Sequence, residues 1–193
     1  MKNVAALLAG CAGFVPQVGF REGYAEVGYT WHLAGALTRV RVFALADPMW
    51  ESDGDRMRSL VAGGVDLRGR WDTMARVWVY ADRWRVAEPA ADPVNFREIP
   101  RNQLRFTLQT SPSHALSQVF LEGVLGEEID YENARPGDGA TLTLGVTLRP
   151  TDHLALRVDA SRRFLDVRPA AGGPESRLFT AQVARLKATY TFT

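Results

Sequence analysis

The second half of the chain repeats a strict alternation of apolar and polar residues, and this alternation restricts the fold more than any other feature. Residues 141–148 alternate Thr or Gly with Leu or Val, and after a turn at 150–153 the alternation resumes over 154–161. Successive side chains of a β-strand point to opposite faces, so period two predicts strands with one aliphatic and one polar face. Runs of about 9–11 residues suffice for a tilted strand to cross a bilayer. The pattern is typical of a transmembrane β-barrel.

About nine antiparallel strands are predicted, joined alternately by short turns and long polar loops. The predicted strands are 20–32, 37–50, 57–69, 73–86, 102–111, 117–129, 140–149, 154–166 and 178–192. The long loops are 87–101, 130–139 and 167–177, and the short turns lie near residues 33–35, 70–72, 112–114 and 151–153. Outer-membrane barrels place short turns in the periplasm and long loops outside, so each joint is assigned a side. An up-and-down barrel segment is therefore expected.

The charges of these strands are predicted to share one face. This charged face, the candidate lining of a lumen, comprises Arg39, Arg41, Asp66, Arg68, Arg76, Arg105, Glu122, Glu128, Arg157, Asp159, Arg185 and Lys187. The opposite, aliphatic face is the candidate lipid contact and is represented by Leu142, Leu144, Val146, Leu148, Leu154, Leu156 and Val158. An Arg or Lys facing lipid at mid-bilayer costs about 2–4 kcal/mol, which assigns the charged face to the lumen of a membrane barrel.

A soluble lipocalin-like barrel or β-sandwich that binds a ligand is the alternative, and it reverses the two faces. There the aliphatic face forms the core and the charged face meets water. Alternation by itself fits both folds. Three features favour a membrane barrel over the soluble fold: the strand length, the alternation of short and long joints, and the aromatic residues near strand ends.

Composition excludes several other classes of protein. With 23% charged residues and a net charge of +1, the chain is neither a nucleic-acid binder nor disordered. It has no apolar run of about 18–20 residues, which excludes a helical membrane protein. A single cysteine, Cys11, excludes an internal disulfide framework. Cys11 follows a short apolar run similar to a lipoprotein cleavage box, and a chance match in a segment that is not a true start is the alternative.

Catalytic, cofactor and metal sites are not predicted. His32, His114 and His153 fall at predicted short turns and share no metal-ligand spacing. Glu127 and Glu128 are adjacent, but neighbours on a strand face opposite ways and cannot act on one substrate together. A solvated rim is expected for this acidic pair, and the chain is expected to be no enzyme and to bind no cofactor.

Two stretches carry a resemblance to a known family. These are RNQLRFTLQTSP with the alternating region that follows, over 101–193, and GFVPQVGFREGYAEVGYTW at 13–31. They resemble the C-terminal barrel of an uncharacterised bacterial outer-membrane family in which a periplasmic domain similar to family-9 carbohydrate-binding modules precedes the barrel. The resemblance implies an outer-membrane location and a non-catalytic pore or anchor. A second implied function is the barrel part of a carbohydrate-binding or carbohydrate-processing surface protein, whose hydrolase activity, if any, would lie in a region absent from this chain.

Departures from that family predict an incomplete barrel. Members are several times longer and continue past the equivalent of Thr193, and an odd strand count does not suit a closed single-chain bacterial barrel. Residues 1–19 are expected to be an N-terminal segment and 20–193 the barrel segment. Strands 20–32 and 178–192 are expected either to be unpaired edges or to close on each other imperfectly, which leaves a curved open sheet. The expected partners are outer-membrane lipid, the barrel-assembly machinery, and missing strands or a periplasmic carbohydrate-binding domain, with no nucleic acid.

Overall fold

A computed structural model describes residues 19–88, 95–167 and 173–192, which form one antiparallel sheet of ten strands. The strands are β1 (Phe20–Glu22), β2 (Ala25–His32), β3 (Leu37–Glu51), β4 (Arg56–Gly69), β5 (Met74–Ala87), β6 (Phe96–Thr110), β7 (Leu116–Asp130), β8 (Arg135–Thr151), β9 (Leu154–Val167) and β10 (Ser176–Tyr190). Within these residues no helix is long and apolar enough to cross a membrane. The predicted all-β, up-and-down fold is confirmed.

Each strand from β3 to β9 pairs with its neighbours in sequence, and the sheet stays open. β2 pairs with β3 and β10 pairs with β9, and neither edge strand has a second partner in the described part of the chain. This confirms the predicted open sheet with unpaired edges. The division at residue 19 stays a prediction, because residues 1–18, which include Cys11, lie outside the described residues.

The first predicted strand, 20–32, is interrupted. β1 and β2 pair with the same strand, β3, and the break at Gly23 and Tyr24 lies opposite Pro48 and Asp47. Proline has no N–H for the ladder, so regular pairing is lost at this point. β3 nevertheless continues past Pro48 to Glu51, and on its other side Pro48 pairs with Ser59 of β4.

Two predicted loops are much shorter than expected. The loop predicted at 130–139 is reduced to residues 131–134, and β6 begins at Phe96, inside the loop predicted at 87–101. Pro136, Gly137 and Pro100 are poor strand formers, which misled the prediction. In the sheet Gly137 meets the backbone of Asp166 so closely that a Cβ atom there would clash. Tertiary packing therefore needs glycine inside this strand.

Most of the buried side chains lie on the charged face. One apolar cluster joins Leu60, Ala62 and Tyr80, and a second, near the 131–134 turn, joins Val86, Ile99, Ile129 and Ala134. Leu60 is opposite Asp82 and Tyr80 is opposite Gln103 in the register, so the first cluster shares its face with polar groups. Since this is a single sheet, its side chains must be covered by others on the same face.

A glycine lets two aromatic rings meet across a strand. Phe43, Gly64 and Trp78 are consecutive partners on β3, β4 and β5. The Phe43 and Trp78 rings are 5.9 Å apart between centroids, at 85°. A Cβ atom on Gly64 would lie 2.5 Å from the Trp78 Cβ. Glycine at this position is therefore required by the packing of the charged face.

Candidate functional site: the charged face

The register shows which predicted site residues lie together, because directly paired residues share a face. One row of pairs joins Arg41, Asp66 and Arg76 and continues through Thr107 to Glu122. A parallel row runs from Arg39 and Arg68 through Met74, Gln109, Phe120 and Gly145 to Asp159 and Arg185. Lys187 pairs with Arg157, and Arg105 pairs with Trp78. By the same alternation all twelve charged-face candidates share one side of the sheet.

The seven aliphatic-face candidates lie on the opposite side. Leu144 pairs with Ala160 and Val146 with Val158, in the rows between those of the charged residues. Leu142, Leu144 and Val158 are exposed. The exposure extends to the middle of the sheet, where Val61 is 57% and Val79 60% exposed.

Asp82 is the most buried charged group of the charged face. Its side chain has 0% exposure and accepts hydrogen bonds from the guanidinium groups of Arg58 and Arg101 at 3.1 and 2.7 Å. The indole N–H of Trp84 donates to it at 2.7 Å, and both guanidinium groups lie over the Trp84 ring. A buried carboxylate is tolerated only with such complete pairing. Asp82 therefore holds three strands together.

The ion pairs around Asp82 extend into a charge ladder across the sheet. Arg58 contacts Asp47 at 3.2 Å, and Arg101 approaches Glu128 at 3.9 Å. Glu128 in turn lies 3.6 Å from Arg163 on β9. The strand between them, β8, has Gly137 opposite Glu128 and Thr141 opposite Arg163, so the ion pair crosses β8 diagonally. The charge ladder, defined as Asp47, Arg58, Asp82, Arg101, Glu128 and Arg163, alternates in sign from β3 to β9.

A second set of ion pairs lies nearer the short turns. Arg41 pairs with Glu26 on the edge strand β2, and Arg76 pairs with Asp66. The Arg76 guanidinium also lies 5.2 Å from the Phe43 ring centroid and 4.9 Å from the Trp78 ring centroid. Cation–π contacts of this kind stabilise a guanidinium that is partly removed from water.

Other cations of the charged face have no acidic partner. In the described residues no ion pair involves Arg39, Arg68, Arg105, Arg185 or Lys187. Arg105 lies over the rings of Trp78 and Tyr80 at 5.8 and 5.7 Å. Arg185 and Lys187 lie on the exposed edge strand β10. The charged face is thus densely paired in its centre and leaves free cations at its β10 edge.

Glu127 and Glu128 point to opposite sides, as predicted. Glu127 accepts hydrogen bonds from the backbone N–H and side-chain amide of Asn102, both at 2.8 Å. Glu128 instead joins the charge ladder, and its side chain is only 17% exposed. The expectation of a solvated rim is therefore wrong for Glu128, because Arg101 and Arg163 cover it.

The titratable side chains at the short turns do not form a metal site within the described residues. His114 lies 3.7 Å from Asp152, and both are strongly exposed beside a cavity of about 210 Å³. Among the described residues no three His, Cys, Asp or Glu side chains converge as metal ligands.

In the 131–134 turn, burial raises the pKa of the Tyr131 phenol, whose ring packs edge-on against Trp84.

A shallow groove of about 280 Å³ lies on the charged face near the short turns. Its walls include Gln109, Phe120 and Arg157, and its floor is Gly145, which has no side chain to fill it. Arg157 is held by Asp159 at 2.9 Å on the same strand. The groove is part of the charged face and presents only hydrogen-bonding and aromatic groups.

The aliphatic face ends at a polar border on the side of the long loops. In the middle strands its side chains run from Ala75 to Ala81 on β5 and from Leu148 to Ala140 on β8. The next positions on this face are Ser59, Arg83, Asn102, Glu127, Asp138, Arg162 and Gln182. At the opposite side, exposed aromatic residues include Trp31, Trp71, Tyr190 and Phe192. An apolar band with an aromatic rim is the outer surface expected of a membrane barrel.

Comparison with known proteins gives no relative for this chain. No family model, curated protein or solved structure matches it. The proposal below therefore depends on the geometry of the sheet and on the sequence pattern.

Several residues of the charge ladder were missed by the sequence prediction. Arg58 and Arg163 lie at even distances from the predicted residues Asp66 and Arg157, so strand alternation already placed them on the charged face. Arg101 falls within the predicted loop 87–101, next to Pro100, which is a poor strand former. Which acid each cation contacts depends on the register between strands, which no single strand reveals.

Proposed function

We propose that the chain is a membrane-embedded segment of a bacterial outer-membrane β-barrel, with its aliphatic face against lipid and its charged face lining the interior. One observation carries the proposal: the charged face is the buried one. Asp82 and Asp66 are 0% and 4% exposed, whereas Val61 and Val79 of the opposite face are mostly exposed. A soluble barrel or sandwich would bury the aliphatic side chains instead.

The energetics of transfer support this orientation. An exposed aliphatic surface that covers one whole side of a sheet is unfavourable in water and favourable in lipid. The charged face is compatible with a barrel interior because most of its central charges are paired. As a non-catalytic segment of this kind, the chain would act as a pore wall or an anchor of a surface protein.

Membrane fractionation tests the proposal. Cells that express the full chain are lysed, and the membranes are washed with alkaline carbonate and with urea before detergent extraction. We expect the chain to stay in outer membranes through both washes and to be released only by detergent. Recovery as a monomer in plain buffer would contradict the proposal and favour the lipocalin-like alternative.

A further inference from the structure

Two arginine residues face each other across neighbouring strands of the charged face. Arg39 on β3 is the direct register partner of Arg68 on β4, and we call them the arginine pair. Directly opposite residues of an antiparallel pair have Cβ atoms about 4.5–5.5 Å apart, and like charges in this arrangement are destabilising. Two residues along the same strands, Arg41 faces Asp66, which is the favourable arrangement. The arginine pair therefore needs a counter-charge.

The acids of β2 and β4 on this face are already engaged with other cations. Asp66, two residues before Arg68, is bound by Arg76. Glu26 of β2 is bound by Arg41. Among the described residues neither guanidinium group of the arginine pair has a hydrogen bond or an ion pair. Two positive charges are thus left in this part of the face without a contacting carboxylate.

The side chains beside the arginine pair do not compensate its charge. In the same row Arg39 is followed by His32 on β2, and Arg68 is followed by Met74 on β5. Neither of these neighbours carries a negative charge. In the part of the chain that the structure describes, no aromatic ring lies against either guanidinium group, in contrast to that of Arg105.

Burial makes the missing counter-charge more costly for Arg39. Its side chain is half-buried, and its Nε atom is buried without a hydrogen-bond partner. Repulsion between two like charges is stronger where less water screens it. Arg68 is exposed, so the pair stays accessible from the charged face.

Another like-charge pair of the sheet is neutralised within the chain. Asp138 on β8 faces Asp166 on β9, and Asp166 is bound by the Arg177 guanidinium. The arginine pair has no such partner among the described residues. A counter-ion from outside the chain would supply it.

The geometry of guanidinium groups indicates the chemistry of that counter-ion. Each group is a planar fork of N–H donors that matches a carboxylate or a phosphate with two parallel hydrogen bonds. Two such forks on adjacent strands suit a single oxyanion that bridges them. We propose that the arginine pair is a binding site for a soluble oxyanion, a phosphate or carboxylate group carried by a small solute.

The two parts of this proposal have different foundations. Binding of an oxyanion needs only the register of β3 with β4. The choice of a soluble anion over a lipid head group rests on the proposed function, because there the arginine pair lies on the face turned away from lipid. In a barrel interior such a site would favour anionic over cationic solutes.

Titration calorimetry with inorganic phosphate tests the site on the full chain, in detergent or in plain buffer as it is recovered. We expect saturable binding in sodium chloride, which screens nonspecific attraction. Arg39→Gln and Arg68→Gln should each weaken the affinity at least about tenfold, because a charge-assisted bidentate contact is lost. Lys187→Gln is the matched control, since it removes another cation of the same face on the distant strand β10, and it should leave the affinity unchanged. Absence of saturable binding, or equal weakening in the control, would overturn the inference.

Stability in urea gives a second readout. Arg68→Glu turns the like-charge pair into an opposite-charge pair, so its urea midpoint should lie above that of the unchanged chain when phosphate is absent. Phosphate should raise the midpoint of the unchanged chain by mass action and should not raise that of Arg68→Glu. A variant midpoint that falls, or that still responds to phosphate, would contradict the site.

A lipid arm identifies the source of the anion. Short-chain phosphatidylglycerol, dispersed in the same detergent at the same phosphate concentration, replaces inorganic phosphate. Stabilisation by the lipid and not by inorganic phosphate would overturn the choice of a soluble occupant. A chain that is absent from the membrane fraction refutes the proposed function, whereas a membrane-inserted chain that does not bind phosphate refutes only the arginine site.

Discussion

The Arg101 guanidinium donates a hydrogen bond of 2.7 Å to the fully buried carboxylate of Asp82 on the adjacent strand. Arg58 binds the same carboxylate from the other side, and the three residues join β4, β5 and β6. This arrangement makes Asp82 the most sensitive position of the charged face.

Replacing Asp82 by Asn should destabilise the protein by about 3 kcal/mol, at the lower end for a broken buried ion pair. Arg58 and Arg101, whose side chains are 16% and 18% exposed, would lose their shared counter-charge but keep Asp47 and Glu128. The measurement is pulse proteolysis in urea on isolated membranes that contain the full chain.

Asp159→Asn is the matched control for the buried pair. Asp159 pairs with Arg157, but the two side chains keep 34% and 58% exposure, so loss of this ion pair should cost about 0–1 kcal/mol. Equal urea midpoints for the two variants would show that burial of Asp82 does not matter.

Leu144→Arg should prevent insertion into the membrane, since an outward Arg near mid-bilayer costs about 2–4 kcal/mol. Thr143→Arg places the same side chain on the charged face, opposite Glu122 and Ser161, and should be tolerated. The amount of urea-resistant protein in outer membranes measures both. If both variants insert equally well, the aliphatic face does not contact lipid.

Gly64→Ala should destabilise the sheet by about 1–3 kcal/mol through overpacking. The new Cβ would lie 2.5 Å from both the Trp78 Cβ and the Val77 carbonyl oxygen, and backbone cannot give way easily. Gly63→Ala is the neighbouring control, because its Cβ would meet only the Phe43 carbonyl oxygen at 3.6 Å. That control should be neutral or gain about 0.5–1 kcal/mol. The same urea midpoint in both variants would contradict the packing described for Phe43 and Trp78.

Cysteine labelling of intact cells should separate the two ends of the sheet. In a Cys11→Ser background, Glu132→Cys in the 131–134 turn should react with an impermeant maleimide, and Asp152→Cys should react only after permeabilisation. The reason is that the joints 52–55 and 131–134 lie at one end of the strands, whereas the turns 33–36, 70–73, 111–115 and 152–153 lie at the other. Equal labelling of both residues would refute the assignment of the strand ends near the 131–134 turn to the cell exterior.

The alternation of residues determined the strands and their two faces. Leu142, Leu144 and Val158 could be assigned to one side and Arg157 and Asp159 to the other, because side-chain direction in a strand depends only on position along it. The turn residues were also sufficient to predict the up-and-down order, whereas the open sheet was expected from the odd strand count and from the departures from the resembled family.

Contacts between strands were decided only by the tertiary structure. The sequence did not indicate that Asp82 is shared by Arg58 and Arg101, or that Gly137 lies within a strand rather than a loop. Such facts depend on register and on close approach of neighbouring backbones, both of which involve residues distant in the chain. Alternation likewise did not show which face is buried, because soluble and membrane barrels have the same alternation. The burial of Asp82 beneath its neighbours, while Val61 and Val79 stay exposed, follows from packing across the whole sheet.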